Sequence, residues 1–330
     1  MNKIVCFGEI MGRLNPEGYL RIKQARKYEL SFAGGEVNAA VTLANFGCAV
    51  SFVSKIPDND LSEALLRDLR GYKLDVSDMV FGGERLGMYY VEKGSSQRPT
   101  KVIYDRKYSS ISMASRRDFD WDSIFKGATW FHFTGITPAL SDNAADITRD
   151  ALLCARARGI TISCDTNYRK NLWTQEKAGS VMRDLMQHVD ICITNKSDAK
   201  NLLGISDKGS HKESARHLME AYTNLKSVAY TMRESSSASL NDWAALLYDG
   251  KDHFESKKYR FQVVDRLGGG DCFAGSLIYA INSGYSGQDT IEFAAAASCL
   301  KHTTEYDFSQ ATAEEVHNLM KGDATGRVQR

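Results

Sequence analysis

The chain has 330 residues, 43% of them hydrophobic and 25% charged, with 42 Lys and Arg against 41 Asp and Glu. That length suits one large domain with an appendage, or two domains. The balanced charge excludes a global field for nucleic acid or anionic lipid, so any anion binding must be local. Seven scattered cysteines form no Cys-x-x-Cys pair or zinc-spaced Cys/His cluster, Lys3, Gly8 and Glu9 interrupt the first apolar segment, and no uncharged apolar run approaches about 18 residues. A cytoplasmic protein with no metal cage, export signal or membrane span is expected.

Ile4-Val5-Cys6-Phe7-Gly8 is a short apolar run closed by glycine, as a buried parallel strand would be. Residues 36–47 have helical apolar spacing, end at Gly47 and feed the strand-like Ala49–Val53; the same alternation returns at 143–158 with 160–164, and at 176–188 with 191–193. This rhythm predicts an α/β fold with a doubly wound, mostly parallel sheet flanked by helices. Two stretches, 13–32 and 84–106, alternate apolar and polar residues without an intervening helix and read as antiparallel strands of one small β-sheet lid. The core then comprises 1–12, 33–83 and 107–321, and the polar tail 322–330 is expected to fray. A lid with apolar strand faces suggests pairing with a second lid, hence a homodimer.

The strongest local signal is Asp265-Arg266-Leu267-Gly268-Gly269-Gly270-Asp271, which opens a helix running to about Asn282. Three glycines let the backbone aim several N–H groups at one spot, and the helix terminus adds positive partial charge, so an anion such as phosphate fits. Asp271, read as the first helical residue, would stay ionised there and accept a proton. Phosphoryl transfer to a hydroxyl is one reading; a flexible loop with Asp271 as a helix cap is the other. No Gly-Lys-Ser/Thr follows, so this is not a Walker A loop, and no Gly-x-Gly-x-x-Gly supports a dinucleotide-binding oxidoreductase.

The segment DRLGGGDCF (265–273), together with Ala33-Gly34-Gly35-Glu36-Val37-Asn38-Ala39-Ala40 near the other end, resembles the two signatures of the ribokinase-like carbohydrate kinases over residues 3–320. Gly87–Tyr90, Val102–Arg106, Phe133–Leu140 and Asp165–Trp173 narrow the resemblance to the 2-keto-3-deoxygluconate kinase branch. It implies ATP and Mg²⁺, with Asp271 as base, Gly268, Gly269 and Gly270 as an anion hole, and the sugar's 6-hydroxyl as acceptor. It also implies that Gly34, Gly35, Asn38, Tyr89, Tyr104, Arg106, Asn167 and Arg169 hold the sugar acid, two guanidinium groups suiting its carboxylate. Asn195, Asp198, Thr231, Arg233 and Ser236, with Gly268 and Gly270, are implied for the nucleotide and its magnesium, with no direct metal ligand from the protein.

Asp198 stands where the family has glutamate, serines replace glycines at 235–237 in an expected loop, and Gly269 replaces alanine. Plainer roles stay open: the tyrosines packing the lid, the arginines at a surface, Asn38 at a helix start, Asn195 or Asp198 as caps. Kinases for neutral ketoses or other deoxy sugars, and a catalytically idle sugar-binding regulator on the same fold, remain alternatives.

Overall fold

The computed structural model describes residues 3–206 and 208–322. Strand β1 (Lys3–Phe7) is followed by β2 (Met11–Asn15) and β3 (Glu29–Ala33), and α1 (Gly35–Asn45) then returns the chain to β4 (Ala49–Val53) beside β1. Next come β5 (Lys55–Ile56), α2 (Asp60–Gly71), β6 (Val80–Phe81), β7 (Gly87–Glu92), β8 (Lys101–Asp105), α3 (Trp121–Ile124) and β9 (Ala128–Thr134). Strand and helix alternate through α4 (Asp142–Ala157), β10 (Thr161–Asp165), α5 (Gln175–Leu185), β11 (Ile191–Thr194), α6 (Lys196–Leu203), α7 (His211–Ala221) and β12 (Ser227–Ser235). The strands β13 (Leu240–Tyr248), β14 (His253–Glu255) and β15 (Tyr259–Gln262) precede α8 (Gly269–Asn282), α9 (Gly287–Lys301) and α10 (Ala313–Met320).

The ends of these helices are local chemistry. Gly47 and Gly159 both take positive φ, and each lets the following residue donate back across the last turn: Cys48 to Leu43 at 3.1 Å, Ile160 to Ala155 at 3.0 Å. Asn59, Ser141, Thr174, Ser210, Ser286 and Thr312 cap the starts of α2, α4, α5, α7, α9 and α10 with side-chain oxygens.

The main sheet has nine strands in the order β14-β13-β12-β11-β10-β9-β1-β4, with β15 also on β13. From β4 to β12 every pairing is parallel; β13 to β15 add an antiparallel margin. One apolar cluster packs α1, α8 and α9 on one face, and another packs α3 to α7 on the other. Because β4 and β9 leave β1 on opposite sides, the strand order reverses there and opens a crevice beyond the carboxyl ends of the strands.

The lid is a separate four-stranded sheet, β3-β2-β7-β8. Its outer pairs are antiparallel, as expected, but the central pair β2–β7 is parallel. The reason is connectivity: β2–β3 and β7–β8 are each short excursions, whereas β2 and β7 are separated by core elements that return the chain to the same end. Beyond Gly322 the expected frayed tail lies outside the described residues. All seven cysteines are free thiols, and no helix among the described residues is long and apolar enough to cross a membrane.

One contact in this core sets the spacing of the crevice. Gly275 of α8 lies so close to α1 that a Cβ there would come within 2.7 Å of the Ala39 carbonyl oxygen and 3.0 Å of Thr42 Cβ. The two helices cross backbone to backbone. Gly275→Val should therefore force them apart and destabilise the fold by about 1–3 kcal/mol, read from urea unfolding; unchanged stability would show that the crossing is not tightly packed.

Candidate active site

The glycine turn joins β15 to α8. Gly268 precedes the helix in the left-handed region, with φ of 79°, and a Cβ there would collide with the Asp307 carbonyl. A Cβ on Gly269 would collide with the His302 ring, whereas one on Gly270 would meet no atom within 4 Å. The first two glycines answer to packing and the third faces open space. The helix begins at Gly269, so Asp271 is its third residue rather than its first. In that first turn the N–H groups have no carbonyl one turn back to bond, which leaves them aimed outward.

Asp271 is half-buried, and Asn38 Nδ2 donates to its Oδ2 at 2.7 Å. Asn38 is itself held by Gly34 N, which donates to Asn38 Oδ1 at 3.3 Å. A side chain on Gly34 would strike the Glu9 carbonyl, while Gly35 runs beside Thr134 and Asn167. Burial pushes the Asp271 carboxyl up to about 6; the Asn38 hydrogen bond and Arg169 oppose it, Asp307 adds to it and Lys301 again opposes. The group is thus mostly ionised at neutral pH yet basic enough to take a proton.

The facing wall comes from the carboxyl ends of β10 and β11. Asp165 accepts from Asn167 N at 3.1 Å, and Asn167 adopts a positive φ of 36°. Burial, then Asp271 and Asp198, hold Asp165 well above the usual carboxylate range despite Arg169. Asp198 accepts from Tyr168 N at 3.0 Å and from Thr166 Oγ1 at 3.3 Å, tying α6 to the loop after β10. Asn195 caps α6, its Oδ1 accepting from Asp198 N at 3.0 Å. Of its two expected roles the structure displays the cap.

These groups, with Gly268–Asp271, line a cavity of 830 Å³. Thr231 and Arg233 also line it, but from strand β12 and not from a loop; the sheet continues through Ser235 because β13 pairs with it along its length. Arg233 Nη2 donates to His302 Nε2 at 2.6 Å, and its guanidinium lies 4.8 Å from the Trp243 ring centroid. Burial and then Arg266 lower the Arg233 value to about 9, and burial and then Arg233 lower that of His302 to about 3. The imidazole is therefore neutral, donating from Nδ1 to Ser298 O and accepting at Nε2. Ser236 stands apart, in a 370 Å³ cavity between the 235–238 turn and the lid tip. There Ala238 N donates to Ser96 O at 2.8 Å and Ser96 N to Ser239 Oγ at 2.9 Å, latching the tip to the core.

A second cavity, of 1030 Å³, adjoins the first along Val102, Tyr168, Arg169, Ser197 and Asp198 and is also lined by Tyr104 and Arg106. Arg106 is buried and ion-paired with Glu9, which also accepts from Ser109 Oγ at 2.6 Å. Its charge is already matched. Arg169 Nη1 donates to the Tyr168 carbonyl at 3.3 Å, and without a carboxylate ion pair among the described residues it is the more available guanidinium. Tyr89 lies inside the lid, stacked on Tyr104 with ring centroids 5.9 Å apart, and lines neither cavity. Gly34, Gly35 and Asn38 likewise lie behind Asp271 and line neither.

Two residues at this site were not marked by motif: Glu9 and Arg13. For Arg13 a signal existed. Strand alternation puts it on the same side as Met11 and Asn15, and all three are buried. A lone arginine on a buried strand face calls for anionic partners.

The profile of the pfkB family carbohydrate kinases matches residues 1–310. A 2-dehydro-3-deoxygalactonokinase from Haloferax volcanii is 31% identical over 98% of this chain and 98% of its own length, and a 2-dehydro-3-deoxygluconokinase from Thermoproteus tenax is 28% identical over 91% and 88%. Among solved structures, a 2-dehydro-3-deoxygluconokinase from Thermotoga maritima superimposes with a TM-score of 0.95 at 44% identity, covering 98% of this chain and 100% of that one. A putative ribokinase II from E. coli, solved with ATP and Mg²⁺, shares the fold at 19% identity, with a TM-score of 0.84 over 97% of this chain and 99% of its own. The chain belongs to the pfkB family of carbohydrate kinases.

Proposed function

We propose that this kinase transfers the γ-phosphoryl group of ATP to the 6-hydroxyl of 2-keto-3-deoxygluconate or a close sugar acid such as its galacto epimer. The observation that carries the reading is the position of Asp271, beneath the glycine turn, in a cavity that joins a second one at Arg169 and Asp198. The 830 Å³ cavity suits the nucleotide, whose phosphates would meet the N–H groups of Gly268–Asp271. The sugar would lie toward Arg169 and Tyr104, with its hydroxyl against Asp271.

Asp271 takes the hydroxyl proton as the oxygen forms its bond to the γ-phosphorus and ADP departs with the electrons of the broken P–O bond. Asp165 and Asp198, lining the same cavity, are the residues that would help to hold a magnesium ion with its water there. When bound, that ion neutralises phosphate charge as the group transfers. The lid, its tip already tied to the core, would close over the bound sugar and exclude water, the competing acceptor.

A kinase for a neutral ketose or another deoxy sugar is the second reading. One observation favours it: Glu9 already neutralises Arg106, leaving Arg169, Lys107 and Lys170 as the cations of that cavity free to meet a substrate carboxylate. Arg169→Ala should raise the KM for sugar acids about tenfold more than for matched neutral sugars, as loss of a charge-assisted hydrogen bond would. Arg106→Ala, measured in the same way, should show a smaller preference; equal losses for acids and neutral sugars in both variants would exclude carboxylate recognition.

Asp271→Asn should lower kcat by about 10³-fold or more while the sugar still binds. In the parent, kcat should fall about tenfold per pH unit below about 6, where the base becomes protonated. Because folding raises this carboxyl from 3.8 to about 6, its contribution to stability is present below the lower value and is lost as pH rises through the upper one. Asp271→Asn should accordingly melt at a higher temperature than the parent at pH 8. Near-normal turnover in this variant would overturn the base assignment.

We also propose a homodimer through the lid. Leu30, Leu14, Tyr90 and Ile103 are successive cross-strand partners, forming an apolar row across its outer face. Leu30 and Ile103 are 42% and 40% exposed, and Tyr28 packs edge-on against Tyr90 at the same patch. Light scattering should give the mass of two chains for the parent and of one for Leu30→Glu/Ile103→Lys; a monomeric parent excludes the pairing.

A further inference from the structure

Arg13 is the largest fully buried side chain in the molecule among the described residues. From lid strand β2 its Nη2 donates to Asp265 Oδ2 at 2.5 Å, and its Nη1 to Asp307 Oδ1. Both carboxylates belong to the frame of the glycine turn. Asp265 opens it, with Oδ1 accepting from Leu267 N at 3.1 Å, and the Asp307 backbone carbonyl packs directly against Gly268. One guanidinium thus grips both shoulders of the turn.

Lys301, at the end of α9, is fully buried beside the same carboxylates, giving two cations and two anions in one dry cluster. Burial alone would raise Asp265, but Arg13 and Lys301 outweigh it and hold that carboxyl below its ordinary value. The guanidinium also lies 5.6 Å from the Tyr306 ring centroid, and along the strand pair β2–β7 the Arg13 backbone is in register with Tyr89. Arg13 lines neither large cavity, so it does not touch a ligand there. Stability alone is a weak account of the cluster, since well-packed apolar side chains often replace buried ion pairs without loss.

We infer that Arg13 is a positioning residue for phosphoryl transfer: by holding Asp265 and Asp307 on either side of Gly268, it couples the placement of the lid to the aim of the turn's N–H groups. The inference rests on the reading of that turn as the phosphate site. A lysine cannot serve equally, because one ammonium lacks the planar fork that engages two carboxylates along separate directions.

The test compares the full chain with Arg13→Lys and Arg13→Gln by steady-state kinetics with ATP and the sugar acid, by pH profile, and by circular dichroism. Arg13→Lys keeps the charge and loses the fork; kcat should fall about 10–100-fold, the range that a small misplacement of reacting groups produces, with both KM values within about threefold. Arg13→Gln should lose at least as much and also move the acid limb to higher pH. Asp271 is faced by Asn38 on α1, Asp165 at the end of β10, Arg169 beyond it, Lys301 on α9 and Asp307, and removing the Arg13 charge leaves Asp307 freer to oppose its ionisation. A folded Arg13→Lys with parental kcat overturns the inference, as does Arg13→Gln with reduced kcat and an unmoved limb. If Arg13→Gln does not fold, kcat of Arg13→Lys decides alone. A parent without sugar-dependent ADP release sinks the functional reading and this inference together, whereas an active parent matched by Arg13→Lys sinks this inference only.

Discussion

The hydrogen bond from Asn38 to Asp271 joins residues 233 positions apart, and the crevice takes its shape from the conditions that bond requires. It needs α1 and α8 to cross closely, which Gly275 permits, and it needs the chain before α1 to run against the Glu9 main chain, which Gly34 permits. Two helix N-termini then converge on one carboxylate. Their partial positive charges would repel each other without it, and with it they form a locus that favours negative charge in a molecule with a formal net charge of only +1. A globally neutral surface and a local anion site are compatible for this reason.

Around that locus, buried carboxylates tie together the loops at the carboxyl ends of the strands. Glu9, beyond β1, holds Arg106 and Ser109 beyond β8. Glu36, in the first turn of α1, accepts from Thr134 N, Thr134 Oγ1 and Thr137 Oγ1, fixing the exit of β9; burial raises it to about 7, against those same bonds. Asp198 holds the exit of β10, and the Arg13 cluster holds the glycine turn. Such groups are costly to desolvate and contribute little net stability. Their consequence is positional: each loop of the crevice is pinned to a neighbour by a directional bond rather than by packing alone.

The lid obeys a simpler constraint. Its pleat sends Arg13 inward to the turn and its neighbour Leu14 outward to the apolar row, so one strand serves the catalytic frame and the proposed subunit contact at adjacent residues. A one-residue slip of β2 would exchange the two and bury the leucine where the ion pairs belong. The register of β2 against β3 and β7 is therefore a condition for both.

The sequence by itself determined the alternation of strand and helix, the glycine stops at 47 and 159, the existence of a lid, and the family, because periodicity, caps and short signatures are local and need only neighbours along the chain. It also marked Asp271, though two residues early in its helix, since a turn with three glycines does not declare which of them begins the helix. The tertiary structure decided what depended on distant partners. Arg106 meets Glu9, Arg13 meets Asp265 and Asp307, and Thr231 and Arg233 lie on a strand because β13 pairs beside them, while Ser236 falls in another cavity. A guanidinium is the same in sequence whether it awaits a substrate carboxylate or already holds one from the protein; only the fold brings the second charge within hydrogen-bonding reach.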